Sequence, residues 1–173
     1  MEELQPKTGK FALTYGLLLG GIGVVFGLML YFMDMHYQGG FSLLIVNVVI
    51  MLGVIIFGMR QFKKANGGFM SFGQALKIGV GIALIGGIIG VLYQQLVIHV
   101  LDPEFMNKAM EIQRAQLSQN SSLTPEQIDQ QLEMGKKFST PLIQVAFGLI
   151  GSLFFGFILS LIPALVMKKA KDE

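Results

Sequence analysis

The residues able to do chemistry are few and unevenly placed. Asn47, Gln94, Gln95, His99 and Gln144 are polar side chains set within or beside long apolar runs. Amides at such places either line a polar vestibule for a head group or substrate, or hydrogen-bond between helices at roughly 1 kcal/mol each or less. The second use is the ordinary one for groups without a fixed charge. Asp34, His36, His99 and Asp102 offer imidazole and carboxylate, which suit zinc or another divalent ion. Their spacing argues against a metal site. Residues two apart diverge on a helix, and Asp102, standing before Pro103 and Glu104, reads as a helix cap. Arg60, Lys63, Lys64 and Lys77 form a basic stretch with no acidic residue among them. Such a stretch attracts anionic lipid or an acidic partner, or simply fixes which side of a membrane it occupies.

Other chemistries find no footing. The chain has no cysteine, which excludes disulfides, thiolate metal sites and a cysteine nucleophile. Gly68–Gly73 (GFMSFG) is followed by Gln74 and Ala75, where a phosphate-binding loop needs Lys and Ser or Thr, and no strand precedes it. Four cations beside a membrane do not make a nucleic-acid surface. No Ser–His–Asp set or intramembrane carboxylate pair occurs, so nothing positive points to an enzyme or a cofactor.

The elements that carry these residues are membrane-length. Of 173 residues, 53% are hydrophobic and 14% charged, outside the range of soluble domains. Four apolar runs span 11–33, 41–59, 78–101 and 142–167. The first is about 35 Å long as a helix, too long for a signal-peptide core and sufficient to cross a bilayer. The 22 glycines fall mostly inside these runs. Gly16/Gly20 and Gly23/Gly27 are GxxxG pairs, Gly79, Gly86 and Gly90 share a face, and Gly148, Ser152, Gly156, Ser160 and Ala164 recur every four residues. Small residues so spaced let neighbouring backbones approach. Ser71-Phe72-Gly73-Gln74 and Thr124-Pro125-Glu126-Gln127 are capping boxes, and Thr140-Pro141 is a third helix start. Pro163 either kinks the last run or marks its end. Between the third and fourth runs, residues 102–140 read as two short amphipathic helices. Phe105, Met106, Ala109, Met110, Ile112 and Leu117 form the stripe of the first, Ile128 and Leu132 that of the second, continuing toward Phe138.

The expected architecture is therefore an all-α membrane protein, one domain over 1–173. Its four transmembrane helices carry an external amphipathic hairpin between helices three and four. Both termini and the basic stretch lie on one side, with net charge +5. Asp34 and residues 102–140 lie on the other, with −3, together giving the +2 of the chain. The positive-inside rule makes the first side cytoplasmic.

The stretch MRQFKKANGGFMSFGQALKIG, followed by a glycine-rich helix ending LYQQLVIHVLDPEF, resembles a bacterial family of four-helix membrane proteins of unknown function. Its most specific parts are Phe72-Gly73-Gln74-Ala75-Leu76-Lys77 and Asp102-Pro103-Glu104-Phe105. The resemblance covers nearly the whole chain. It implies a compact protein of the bacterial inner membrane and supplies no activity. Two functions fit: a non-enzymatic accessory or scaffolding subunit, in contact with lipid and with a second copy or a partner membrane protein, or a small transporter or lipid-binding protein using the polar belt. An enzyme acting on a lipid-linked sugar is a third, and it needs Asp34, His36, His99 and Asp102 to converge.

Overall fold

The computed structural model describes residues 6–37, 40–120 and 123–169. Six α-helices account for most of them: α1 Thr8–Phe32, α2 Phe41–Ala65, α3 Phe72–Leu96, α4 Phe105–Asn120, α5 Pro125–Lys137 and α6 Pro141–Met167. A π-helical turn, Val97–Leu101, extends α3. Four of these helices, counting α3 with its π turn, are long and apolar enough to cross a membrane, which makes this a multi-pass membrane protein.

Helix α3 is the axis. It packs most extensively against α1 on one side and α6 on the other, with α2 closing the bundle. Its glycines serve two different neighbours. A Cβ on Gly81 would lie 2.7 Å from Ala12 Cβ, and one on Gly86 would lie 2.7 Å from Leu19, both on α1. A Cβ on Gly79 would collide with Ser160, and one on Gly87 would sit 2.5 Å from Ser152, both on α6. Gly90, on the face with Gly79 and Gly86 by spacing, meets nothing. The two GxxxG pairs of α1 also divide: Gly16 and Gly20 abut Ile85 and Ile89, Gly27 abuts Tyr93, and Gly23 is open.

The buried core lies toward one end. Ile55, Met59, Phe62, Met70, Ile78 and Ile82 are fully buried there. In lipid such burial removes no water, so it holds the helices by dispersion and fit rather than by dehydration. Here the Phe11 ring meets Phe62 edge-on at 5.4 Å, near the start of α1. Met70 exchanges two backbone bonds with Lys169, of 3.0 and 2.9 Å, which ties the α2–α3 turn to the end of α6. The start of α1, the end of α6 and that turn thus share one end of the bundle.

Several boundaries differ from expectation. Helix α2 does not stop at Arg60 but continues to Ala65, because backbone hydrogen bonding persists after the apolar run ends. Arg60, Lys63 and Lys64 are therefore helical, Lys77 lies within α3, and the connecting turn is only 66–71. Lysines in a last turn also suit the negative end of the helix dipole. The turn itself needs Gly67 and Gly68 at φ +63° and +87°, with the Gly68 N–H reaching back to Lys63 O at 2.8 Å. Pro163 sits inside α6, which runs on to Met167. Both capping boxes form as their residues imply, at Ser71/Gln74 and Thr124/Gln127. Of the connection after α1, residues 38–39 lie outside the described residues, as do 121–122 between α4 and α5.

Candidate functional site

At the end opposite the basic turn, three segments meet at one carboxylate. Asp102 follows the π turn, whose wider spacing is closed by Asp102 N–H donating to Val97 O at 2.8 Å. The expected cap role is not taken up: α4 starts at Phe105, and the Asp102 carboxylate turns to other partners. Tyr37 donates its hydroxyl to Oδ2. His36 donates Nε2–H to the same oxygen at 3.3 Å. Lys108 of α4 lies 3.5 Å from Oδ1 and donates to the Tyr37 hydroxyl at 2.9 Å. Both the Asp102 and His36 side chains are only 9% exposed.

Aromatic rings wall this cluster. The His36 ring centroid is 3.9 Å from that of Tyr37, 4.9 Å from Tyr31 and 5.8 Å from Phe105. Tyr31 donates its hydroxyl to Leu101 O at 3.1 Å, satisfying a carbonyl of the π turn. A carboxylate only accepts, so in the neutral ring the His36 proton sits on Nε2. The buried Nδ1 then has no partner among the described residues.

The electrostatics follow the bonds. The Tyr37 hydroxyl, then His36 and Lys108, hold the Asp102 carboxyl below its ordinary range against the opposing effect of burial. The bond to the carboxylate pushes the Tyr37 hydroxyl up, and the bond to Tyr37 likewise raises Lys108. Asp102 is thus a buried anion compensated by three donors, a hub that clamps α1, α3 and α4 together.

Asp34 sits beside the hub and does a different job. Its φ is +53°, and the bonds Asp34 N–H to Tyr31 O (3.1 Å) and Met35 N–H to Leu30 O (2.9 Å) make it the left-handed residue of a Schellman end to α1. Because 34–37 is a turn rather than a helix, Asp34 and His36 do not diverge. Both line an open recess of about 410 Å³ with Tyr31, Tyr37, Asp102 and Lys108. His99 is elsewhere, exposed and bonded to Gln95. The four-residue set does not assemble, and among the described residues no three His, Asp or Glu side chains group to hold a metal ion.

The amides divide as well. His99 Nε2–H donates to Gln95 Oε1, Gln95 Nε2–H to Gln144 Oε1, and Gln144 Nε2–H to Ser139 O, each at 3.1 Å. This directed chain stitches α3 to α6. Gln94 is exposed. Asn47 lies apart on α2, where its Nδ2 donates to Leu43 O at 2.8 Å within the same helix. It lines an apolar crevice of about 300 Å³ between α2 and α6. The five residues of the belt share no cavity with one another in either recess at this end.

Helices α4 and α5 contact each other, joined by an Arg114–Asp129 ion pair at 2.8 Å. Ile128 and Leu132 are buried, while Phe138, the expected continuation of their stripe, is exposed. At the basic end, Lys63 is likewise committed. Its Nζ donates to Met167 O at 2.8 Å and so caps α6. The aromatic clamp on Asp102 had one legible sign: Tyr31, His36 and Tyr37 cluster around the first connection, which four crossings put on the same side as Asp102. The π turn that aims the carboxylate had none.

No curated protein and no solved structure matches the chain. A family profile matches residues 14–169, most of the chain. The chain belongs to the DUF4199 family of proteins of unknown function.

Proposed function

We propose that this chain is a non-enzymatic accessory or scaffolding subunit of a membrane complex, a single domain set in the bacterial cytoplasmic membrane with both termini cytoplasmic. The observation that carries this reading is the use of its polar groups. Gln95, His99 and Gln144 are spent on one another and on Ser139, and Asp102 on Tyr37, His36 and Lys108. A vestibule needs such groups free and facing a shared space. A platform needs them bonded, because each bond fixes one helix against the next. The α4–α5 pair then projects from a rigid support, on the external side by the distribution of charge. Its facing surfaces carry Glu104, Glu111, Glu133, Arg114 and Lys136 around an open groove, polar enough for contact with another protein.

Solubilisation of tagged protein from its native membrane in mild detergent, followed by identification of co-purifying chains, tests the proposal. A partner retained by the natural chain and lost on Glu111→Lys with Glu133→Lys is the expected result. A particle with no foreign protein in several mild detergents overturns the accessory role. Transport through the amide belt would instead show as a cavity reaching Gln95 and Gln144, and their mutual bonding counts against it.

A further inference from the structure

From Phe41 to Gly53 no residue of α2 is buried, whereas Val54, Ile55, Gly58, Met59 and Phe62 are. One half of this membrane helix is buried in the bundle, and the other is only partly covered, Ile50 and Met51 packing against the core while Leu44, Ile45, Val46, Asn47 and Val49 are exposed. The apolar crevice so opened has Leu44, Asn47, Val48 and Met51 on one wall and Gly151, Ser152 and Phe155 of α6 on the other. Asn47 is six residues, about 9 Å, inside the end of α2. At that depth hydrocarbon supplies no hydrogen-bond partner, yet Oδ1 and one amide hydrogen of Asn47 are unused among the described residues. A lipid tail filling the crevice leaves them unsatisfied, which is costly in lipid. An asparagine amide is its own complement: two copies facing each other each donate and accept once. Gly151 meets nothing within 4 Å, so backbone can approach the far wall closely.

We infer that the free half of α2 is a homodimer interface, in which α2 of a second copy lies along the crevice and the two Asn47 amides bond across a two-fold axis. In such a self-complementary contact, residues near the axis meet their own counterparts. Leu44 and Met51 flank Asn47 on that face, and Val49 points away. The inference names one partner for the subunit proposed above, and it rests on that proposal only for the membrane setting.

The chain has no cysteine, so single cysteines report cleanly. Leu44→Cys, Met51→Cys and Val49→Cys are introduced separately into the full chain, reconstituted in phospholipid vesicles and oxidised. Dimer is expected from the first two and not the third, since a disulfide needs Cα atoms within about 7 Å. Adding Asn47→Leu to Leu44→Cys is expected to weaken dimerisation about fivefold, while Asn47→Gln retains it. Melting curves identify any variant that fails through misfolding, and Asn47→Gln then carries the test. Equal crosslinking at all three positions, indifference to Asn47→Leu, or a monomer that holds phospholipid in the crevice overturns the inference. A crosslinked dimer in vesicles, with no foreign chain co-purifying from the native membrane, keeps this interface while removing the accessory role.

Discussion

A single buried carboxylate does more to define the distal end than any other residue. Asp102 is compensated by Tyr37, His36 and Lys108, and removing its charge leaves three donors arranged around a weaker acceptor. The sign of the pH effect follows from its lowered pKa. The folded protein binds the proton less readily than the unfolded chain does. The Asp102 contribution is therefore complete above the ordinary carboxylate range, near pH 4, and is lost as pH falls through the lower folded value. Hydrogen exchange over 97–110, corrected for intrinsic rates, should show steady protection from pH 7 to about pH 5 and a drop only below about pH 4. Asp102→Asn should reduce protection at neutral pH and remove that acid step. A natural chain losing protection already between pH 6 and 5 would disprove the account. Asp34, two residues from His36, carries no comparable burden. Its left-handed backbone rather than its charge is what the end of α1 requires.

Among the elements, α3 shows how much can depend on one missing methyl group. Gly79 lies against Ser160, itself fully buried and donating to Gly156 O at 2.5 Å. A Cβ at Gly79 would lie 2.7 Å from Ser160 Cβ, an atom that no side-chain rotation carries away. Gly79→Leu should force α3 and α6 apart at a cost of about 1–3 kcal/mol, read as a lower melting temperature in detergent. Gly90→Leu is the control on the same helix, because a side chain there meets open space. It should leave stability unchanged or slightly improved, since leucine favours helix over glycine. Equal loss from both would mean that helix conformation, not interhelical distance, sets the effect. Spacing alone could not rank these glycines. The face shared by Gly79, Gly86 and Gly90 was readable, but its division between α6, α1 and open space depends on helix rotation, which no local pattern encodes.

Over the whole molecule, what was legible is what local physics decides. Apolar runs of membrane length mark four spans, and Ser71/Gln74 and Thr124/Gln127 start helices wherever the chain lies. Less legible were features set by distant partners. The extension of α2 to Ala65 and the bond from Lys63 to Met167 O turn an apparent basic loop into a helix end that caps another helix. The π turn that aims Asp102 leaves no trace in hydropathy. The division of charge between the two ends belongs to the sequence, and it yields the orientation proposed here. In the sequence, residues 1–10, those after α6 and those around the basic turn together carry net +5, and Asp34 with residues 102–140 net −3. A cysteine at Ser118 on α4 and another at Asn66 in the basic turn report opposite faces. In intact cells a membrane-impermeant maleimide should label Ser118→Cys and not Asn66→Cys, and permeabilisation should expose the second. Asn66→Cys gives up one side-chain bond, to Phe69 O, whereas Gly68→Cys would strain a backbone held at φ +87°. Labelling in the reverse order would invert the topology and place α4 and α5 in the cytoplasm. That result would leave the bundle, the Asp102 hub and the α2 crevice as they are, since none of their contacts depends on which face is outside.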